Sequence, residues 1–380
     1  MTCRIVYDYM SSNHHGNSIP NITHGFDRTF GPRYFHLNRG LPGTDILTLH
    51  QDAAKYADPT WNSAFYDSLA PHVPGYVTSA QRGTFKLQIV LPVGAKRPVA
   101  VLSQNGVDFQ DNVFDTTAYQ YWVDIDKLGR ATIPMVKAGT YRLTIYADGI
   151  FGQYVKDDIK VTAGKTQITV AVWLEENTGF ELFRVGTPDK SSGEFRHGYA
   201  LDETKPRKPE EYRIYWGRYD YLADFPDGIH FRVGEDDPAT ALNYMHWSVF
   251  GGNKGVNNWT LEFDVKPLEL LLKKRATFTV QLAGAKTAAG NNDVFDPADP
   301  QANLNYTISV NGVDQNPWVI PYWQSSSCAL RSAVTCYNVG HKFEFASSLL
   351  KAGVNTIVLS LPYGASALSV QYDALRLEVK

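Results

Sequence analysis

The sequence lacks any apolar run approaching the roughly 20 residues that a helix needs to cross a bilayer. Its longest runs are short, as in Ile89 to Val93 and Leu270 to Leu272, so a spanning helix is excluded and no membrane partner is expected. Charge of one sign is missing too. With 36 basic against 39 acidic residues the formal net charge is -3, too small a field to gather nucleic acid or an anionic lipid surface. Cysteine is scarce. Cys328 and Cys336 lie close together in a Ser-rich stretch, which allows one local disulfide and leaves Cys3 alone. Gly-x-Ser-x-Gly, P-loop and dinucleotide patterns are all absent, so hydrolase-fold, nucleotide and nicotinamide chemistries lose their usual markers. No cofactor is expected.

What is abundant is aromatic and turn-forming. Phe, Trp and Tyr reach 13%, beside 30 glycines and 20 prolines. Flat rings fill pleated surfaces and tight turns need Gly and Pro, which together read as all-β. The length, 380 residues, suits two or three domains at about 100 to 200 residues each.

Residues 1–78 open in an alternating strand, Arg4 to Met10, followed by a loop dense in His, Asn and Gly. Two helices are expected next, over Ile46 to Ala57 and Trp61 to Leu69, with Asp58-Pro59-Thr60 between them as a stop and cap signal. The first strand has no partners nearby, so its sheet is expected to come from residues outside this chain. Residues 79–173 carry short, regularly spaced strands: Phe85 to Leu91, Val99 to Ser103, Gln120 to Ile125, Ala131 to Val136, Thr140 to Ala147 and Gln167 to Trp173. Six or seven strands with turns such as Lys127-Leu128-Gly129 predict an immunoglobulin-like or fibronectin type III-like sandwich. Residues 174–380 begin with a polar, Pro-rich entry from Asp202 to Glu211. Strands follow at Tyr212 to Trp216, Trp259 to Val265, Arg275 to Leu282, Tyr306 to Val310, Asn355 to Leu361 and Ala374 to Val379. These predict a jelly-roll sandwich of the carbohydrate-binding kind.

Reactive side chains are densest near the start. Alternation puts Tyr7 and Tyr9 on one face of the first strand, with Asn13-His14-His15-Gly16 at its end and His24 to Arg28 beyond. Tyrosine offers a sugar both a stacking ring and a hydroxyl, and a histidine near neutral pKa can give or take a proton. The alternative is a structural Tyr pair with solvated loop histidines. A zinc site of His14, His15 and His24 has no standard ligand spacing behind it, and a pair of glycosidase carboxylates stays open because Asp and Glu are many and unplaced. A second dense segment, Phe183 to Tyr199, could bind a uronate through its arginines or serve as a structural junction.

Several blocks in order carry a resemblance: Tyr7-Asp8-Tyr9-Met10 with Asn13-His14-His15-Gly16; Pro20-Asn21-Ile22-Thr23-His24-Gly25-Phe26-Asp27-Arg28-Thr29-Phe30-Gly31-Pro32; Gly186-Thr187-Pro188-Asp189; Arg196-His197-Gly198-Tyr199; Tyr212-Arg213-Ile214-Tyr215-Trp216-Gly217; and Leu242-Asn243-Tyr244-x-His246-Trp247. Together they resemble the rhamnogalacturonan lyases of polysaccharide lyase family 4 over nearly the whole chain. The resemblance implies a large N-terminal β-sandwich catalytic domain, represented here only by its remnant in residues 1–78, then a fibronectin type III-like domain and a carbohydrate-binding-like jelly roll. It implies a secreted, monomeric enzyme acting on rhamnogalacturonan I, a pectic polysaccharide, by β-elimination and without a metal. His14 matches the catalytic histidine, the proton donor, and Tyr7 and Tyr9 match substrate-contacting tyrosines. His24 and Arg28 are further substrate-binding candidates. The family's catalytic lysine, its base, lies upstream of the tyrosine strand, and no lysine precedes Lys55 here, so this chain is expected to lack it. A non-catalytic pectin-binding protein is the alternative. Sequons at Asn21, Asn258 and Asn305 fit a secretory route. The first residues have neither the charged nor the apolar region of a signal peptide, so secretion would require a beginning further upstream.

Overall fold

The computed structural model describes residues 35–58, 60–114, 119–198, 221, 223–248, 258–287, 303–321, 324–326, 337–361 and 368–380. The expected strands at Arg4 to Met10 and Tyr212 to Trp216, and the entry from Asp202 to Glu211, lie outside them. The described chain divides at Glu175 and Glu176 into two compact units.

In the first unit, helix α1 (Ile46–Ala54) starts at Asp45, whose carboxylate accepts from the Thr48 N–H at 3.0 Å and from Thr48 Oγ1 at 2.6 Å. The expected cap at Asp58 does a different job. Its carboxylate accepts from Thr60 N and Oγ1 at 2.8 and 2.7 Å, closing a turn, and α2 (Ser63–Ser68) begins later, at Asn62 in the left-handed region.

Seven strands then form a sandwich: β1 (Arg82–Val90), β2 (Lys96–Gln104), β3 (Tyr121–Asp124), β4 (Arg130–Lys137), β5 (Gly139–Asp148), β6 (Tyr154–Val161) and β7 (Thr166–Val172). One sheet runs β4-β1-β7 and the other β3-β2-β5-β6. The alternation that predicts β1 is realised directly, with Phe85, Leu87 and Ile89 buried against Leu102, Leu143 and Ile145 of the facing sheet. The turn before β4 needs its glycine: Gly129 sits at φ +74°, and a Cβ there would lie 1.9 Å from the Ile89 carbonyl oxygen. Strand β6 is not among the expected strands because Lys156, Asp157, Asp158 and Lys160 interrupt its apolar alternation. These charges are used instead. Arg142 grips Asp157 through two 2.8 Å bonds, and Asp158, at φ 63°, exchanges hydrogen bonds with the Asn105 side chain. Strand β7 is an edge of its sheet among the described residues, and its Ile168, Val170 and Val172 are exposed, a surface of the kind that invites pairing.

The buried Tyr141 hydroxyl donates to the Lys137 carbonyl at 2.7 Å, while Tyr121 Oη accepts from the Lys137 N–H at 2.9 Å. The pair ties the β4–β5 corner to the core, in the manner of the tyrosine corner of such sandwiches. Tyr141→Phe should therefore lower unfolding free energy by about 1 kcal/mol. Urea denaturation measures it, and an unchanged midpoint would remove the corner's role.

The second unit is a larger sandwich. Its strands are β8 (Phe180–Gly186), β9 (Ile229–Arg232), β10 (His246–Trp247), β11 (Asn258–Val265), β12 (Arg275–Lys286), β13 (Leu304–Val310), β14 (Val313–Asp314), β15 (Trp318–Ile320), β16 (Val339–Ala346), β17 (Gly353–Ser360) and β18 (Ser369–Val379). One sheet orders β10-β18-β12-β16 with β8 also on β18; the other orders β14-β13-β17-β11-β9 with β15 on β13. The core between them holds Trp259, Leu261, Phe263, Phe278, Val280, Tyr306 and Leu377. β16 is also absent from the expected strands, although Phe343 and Phe345 alternate with Lys342 and Glu344 in the period of a half-buried strand. Every residue of β18 is buried, including Gln371, Asp373, Arg376 and Glu378, so both of its faces are covered. Among the described residues no helix is long and apolar enough to cross a membrane.

Candidate functional site

The residues singled out for chemistry, Tyr7, Tyr9, His14, His24 and Arg28, lie outside the described residues, as do Cys328 and Cys336. Lys55 is described. Its ammonium donates to Asp52 Oδ1 at 2.7 Å, and that bond holds its pKa above the ordinary lysine value. A general base needs the opposite, a lysine that sheds its proton near neutrality.

The second dense segment resolves into a joint built on β18. β8 pairs with β18 as far as Gly186 opposite Ala374. Gly186 is required there: it sits at φ +81°, and a Cβ would lie 2.4 Å from the Asp373 carbonyl oxygen. Opposite β12 the ladder passes from Ala374 on Gln281 to Tyr372 on Leu282. Asp373 is thus the extra residue of a bulge, which re-aims its side chain. The carboxylate accepts from the N–H groups of Asp189 and Lys190 at 2.8 and 2.9 Å. Burial, with the nearby Asp189 charge, pushes its pKa up to about 8 against these donors. Beside it Gln371 Nε2 donates to Ser192 Oγ at 2.6 Å. Glu194 Oε1 accepts from the Thr187 N–H at 2.5 Å, and burial pushes its pKa up to about 7.

The chain next reaches Asp224. Arg196 Nη2 donates to Asp224 Oδ1 and His197 Nε2 meets Oδ2, both at 2.6 Å. The Arg196 bond chiefly holds the Asp224 pKa below the usual carboxylate range, against burial. The Arg196 backbone exchanges bonds with the Leu242 carbonyl and the Tyr244 N–H at 2.9 Å. Two residues on, His246 Nδ1 lies 2.9 Å from Tyr372 Oη and its ring stacks on Trp259 at 4.6 Å.

Of sequence blocks far apart, Gly186 to Asp189 and Leu242 to Trp247 therefore meet on β18, and Arg196 to Gly198 joins them through the Leu242–Tyr244 backbone. The arginines of the segment are committed within this sandwich, Arg196 to Asp224 and Arg184 to Glu181 at 2.7 and 2.5 Å. Holding the joint together is what this geometry does, and of the two roles open to the segment it favours the structural one over uronate capture. Asp224 and Asp373, which complete the joint, are not recognisable as partners in the sequence because nothing local marks a carboxylate whose donors are distant along the chain. Among the described residues no group of three His, Cys, Asp or Glu side chains is placed to hold a metal.

Comparison with known proteins identifies relatives that span nearly the whole chain. Probable rhamnogalacturonate lyase C of Aspergillus oryzae is 52% identical over 373 residues, covering 96% of this chain and 54% of the relative. Rhamnogalacturonate lyase B of Emericella nidulans is 50% identical over 394 residues, covering 99% of this chain and 60% of the relative. The chain thus spans little more than half the length of these relatives. A solved family 35 carbohydrate binding module aligns with 32% of this chain and 62% of its own at 15% identity and a TM-score of 0.20, too slight a likeness to support a conclusion. Residues 92–169 match the model of polysaccharide lyase family 4, domain II, which falls on the first sandwich. Residues 181–377 match that of polysaccharide lyase family 4, domain III; this second match alone spans more than half of the sequence, and the chain belongs to polysaccharide lyase family 4.

Proposed function

We propose that the chain serves rhamnogalacturonan lyase activity in pectin degradation, cleaving the bond from rhamnose to position 4 of galacturonate by β-elimination. The observation that carries this reading is the 52% identity to a probable rhamnogalacturonate lyase C, which reaches across 96% of this chain.

The chemistry needs three functions. A base removes the proton at carbon 5 of the galacturonate, and the charge spreads onto its carboxylate. The bond from carbon 4 to oxygen then breaks as the double bond between carbons 4 and 5 forms, and an acid protonates the departing rhamnose oxygen. His14 is the proposed acid. Tyr7 and Tyr9 are assigned to hold the sugar by ring and hydroxyl, His24 is a further substrate contact, and Arg28 offers a cation for the uronate carboxylate. No metal is invoked. The base is the family's lysine, and Lys55, tied to Asp52, is unsuited to replace it. That observation favours a second reading, in which the chain binds pectic polysaccharide without cutting it. Secretion and a monomeric state complete the proposal. Asn258 and Asn305, two of the sequon asparagines, are exposed, which supports passage through a glycosylating compartment.

Joined to the lysine-bearing segment that supplies the family's base, the chain should raise the ultraviolet absorbance of unsaturated uronate from rhamnogalacturonan, and His14→Ala should lower that rate by about 10²- to 10⁴-fold. Retardation of that joined protein in a rhamnogalacturonan gel without any absorbance rise would overturn the lyase reading in favour of the binding one.

A further inference from the structure

The outer face of the β3-β2-β5-β6 sheet carries an aromatic surface that the elimination does not use. Register places Trp122, Val101 and Thr144 in one row across β3, β2 and β5, and Asp124, Val99 and Tyr146 in the next. Side chains two residues apart share a face, so Trp122 and Asp124 are neighbours there, as are Thr144 and Tyr146. Phe109, buried in the β2–β3 connection, packs against both large rings: edge-on to Trp122 at 5.2 Å and near-parallel to Tyr146 at 6.2 Å. Trp122 and Tyr146 meet edge to face at 6.4 Å.

The arrangement is held in place. Gln120 Nε2 donates to the Phe109 carbonyl at 2.6 Å, and its Oε1 accepts from the Trp122 indole N–H at 3.1 Å. Asn112, itself buried, ties the same connection to β2 by accepting from the Gln104 N–H at 2.8 Å and donating to Gln104 Oε1 at 3.1 Å. Even with these neighbours in place, Trp122 remains 48% exposed. The ring is fixed at the surface with its one polar atom already bonded, and it presents an apolar face that a ligand can cover without loss of a hydrogen bond.

The charges around it indicate what. Burial chiefly holds the Tyr146 phenol above its ordinary value, with Asp148 and Asp124 adding to it. Asp148 is paired with Arg97 at 2.5 Å, and Asp124 is the acid in the row next to the indole. A uronate would bring its own carboxylate against Asp124. An uncharged sugar instead places its apolar ring face on the indole and donates hydroxyl protons to the carboxylates, the mix of apolar lining and few polar groups typical of small-ligand sites.

We propose that Trp122, backed by Phe109 and flanked by Tyr146 and Asp124, is a binding platform for neutral sugar residues in the first sandwich, built from residues that take no part in the proposed elimination.

The test is titration calorimetry of the whole 380-residue chain with β-1,4-linked tetraoses of galactose, glucose, mannose and xylose, and with tetragalacturonate. At least one neutral tetraose should bind, and Trp122→Ala should weaken it by about tenfold or more, while Trp122→Phe retains most of the affinity. Tetragalacturonate binding should be indifferent to Trp122→Ala. Silence from all four neutral sugars, undiminished binding by Trp122→Ala, or a dependence on Trp122 confined to tetragalacturonate would overturn the proposal. Should Trp122→Ala misfold by circular dichroism, Asp124→Leu tests the same platform, since it removes the hydroxyl acceptor and leaves the ring: weakened neutral-sugar binding supports the proposal and unchanged binding overturns it. Cleavage is not the readout, so failure here and failure of the lyase reading remain separate results.

Discussion

Replacing Trp259 by alanine should cost the second sandwich about 3–5 kcal/mol, the range for a fully buried large aromatic. Trp259 is 1% exposed and lies at the centre of a polar-aromatic cluster. His246 stacks on it at 4.6 Å, Tyr372 packs at 5.1 Å, and its indole N–H donates to Tyr221 Oη at 3.1 Å. Truncation would empty a large volume and strip contacts from the His246 and Tyr372 rings, and it would leave the buried Tyr221 hydroxyl without this donor. Close-packed neighbours relax only partly into such a space. Trp259→Phe keeps most of the ring contact and loses the hydrogen bond, so its cost should be smaller, about 1–3 kcal/mol. Urea unfolding followed by far-ultraviolet circular dichroism separates the two. A cost below about 1 kcal/mol for alanine would refute the central place given to this ring.

The second large effect is expected at Asp373. Asp373→Ala leaves the Asp189 and Lys190 N–H groups facing a buried space without the acceptor that now holds both, a loss of about 1–3 kcal/mol for each group left unsatisfied. Asp373→Asn keeps an acceptor oxygen and should cost much less. The two variants also differ from the parent in pH dependence. In the unfolded chain this carboxyl titrates near the usual value of about 3.9, whereas in the fold burial raises it to about 8. Between those values the folded state holds a proton that the unfolded state has released, so stability falls as pH rises across that window and levels off above it. Glu194, raised to about 7, adds a slope of the same sign that ends earlier. Carboxylates held low by their partners, Asp52 and Asp157 near 2, act only below the window. His341, which burial holds below the ordinary imidazole value, works the other way at the lower end of the window. Calorimetric midpoints taken at about pH 6.5 and 8 should thus decline in the parent, and Asp373→Asn should flatten that decline. A fall between those values as steep in Asp373→Asn as in the parent would contradict the protonated carboxyl.

Both predictions sit where the sequence is least informative. β1 is legible because its apolar residues, Phe85, Leu87 and Ile89, alternate with polar ones that face solvent. β18 is legible only from Ala374 onward, since Ser369, Gln371 and Asp373 look like loop residues in isolation. They belong to the strand because partners elsewhere receive them: Ser192 takes Gln371, and the Asp189 and Lys190 amides take Asp373, 184 and 183 residues away in sequence. The same holds for β6, whose charges look unfit for a strand until Arg142 and Asn105 meet them. The candidate chemistry in Tyr7, Tyr9, His14, His24 and Arg28 is legible as a motif series alone.

The sequence by itself determined that residues 79–173 and the region after them fold as β-sandwiches, where most of the longer strands lie, and which family its ordered blocks belong to. Local alternation, turn glycines and motif order are properties of neighbouring residues, and these need no partner to be read. Only the tertiary structure decided that Arg184 and Arg196 are committed to internal carboxylates, that Lys55 is held protonated by Asp52, that three distant blocks form one joint on β18, and that Trp122 is left facing outward. Each of those depends on which groups are brought within a few ångströms of one another, and a buried charge or an exposed ring acquires its meaning from that company.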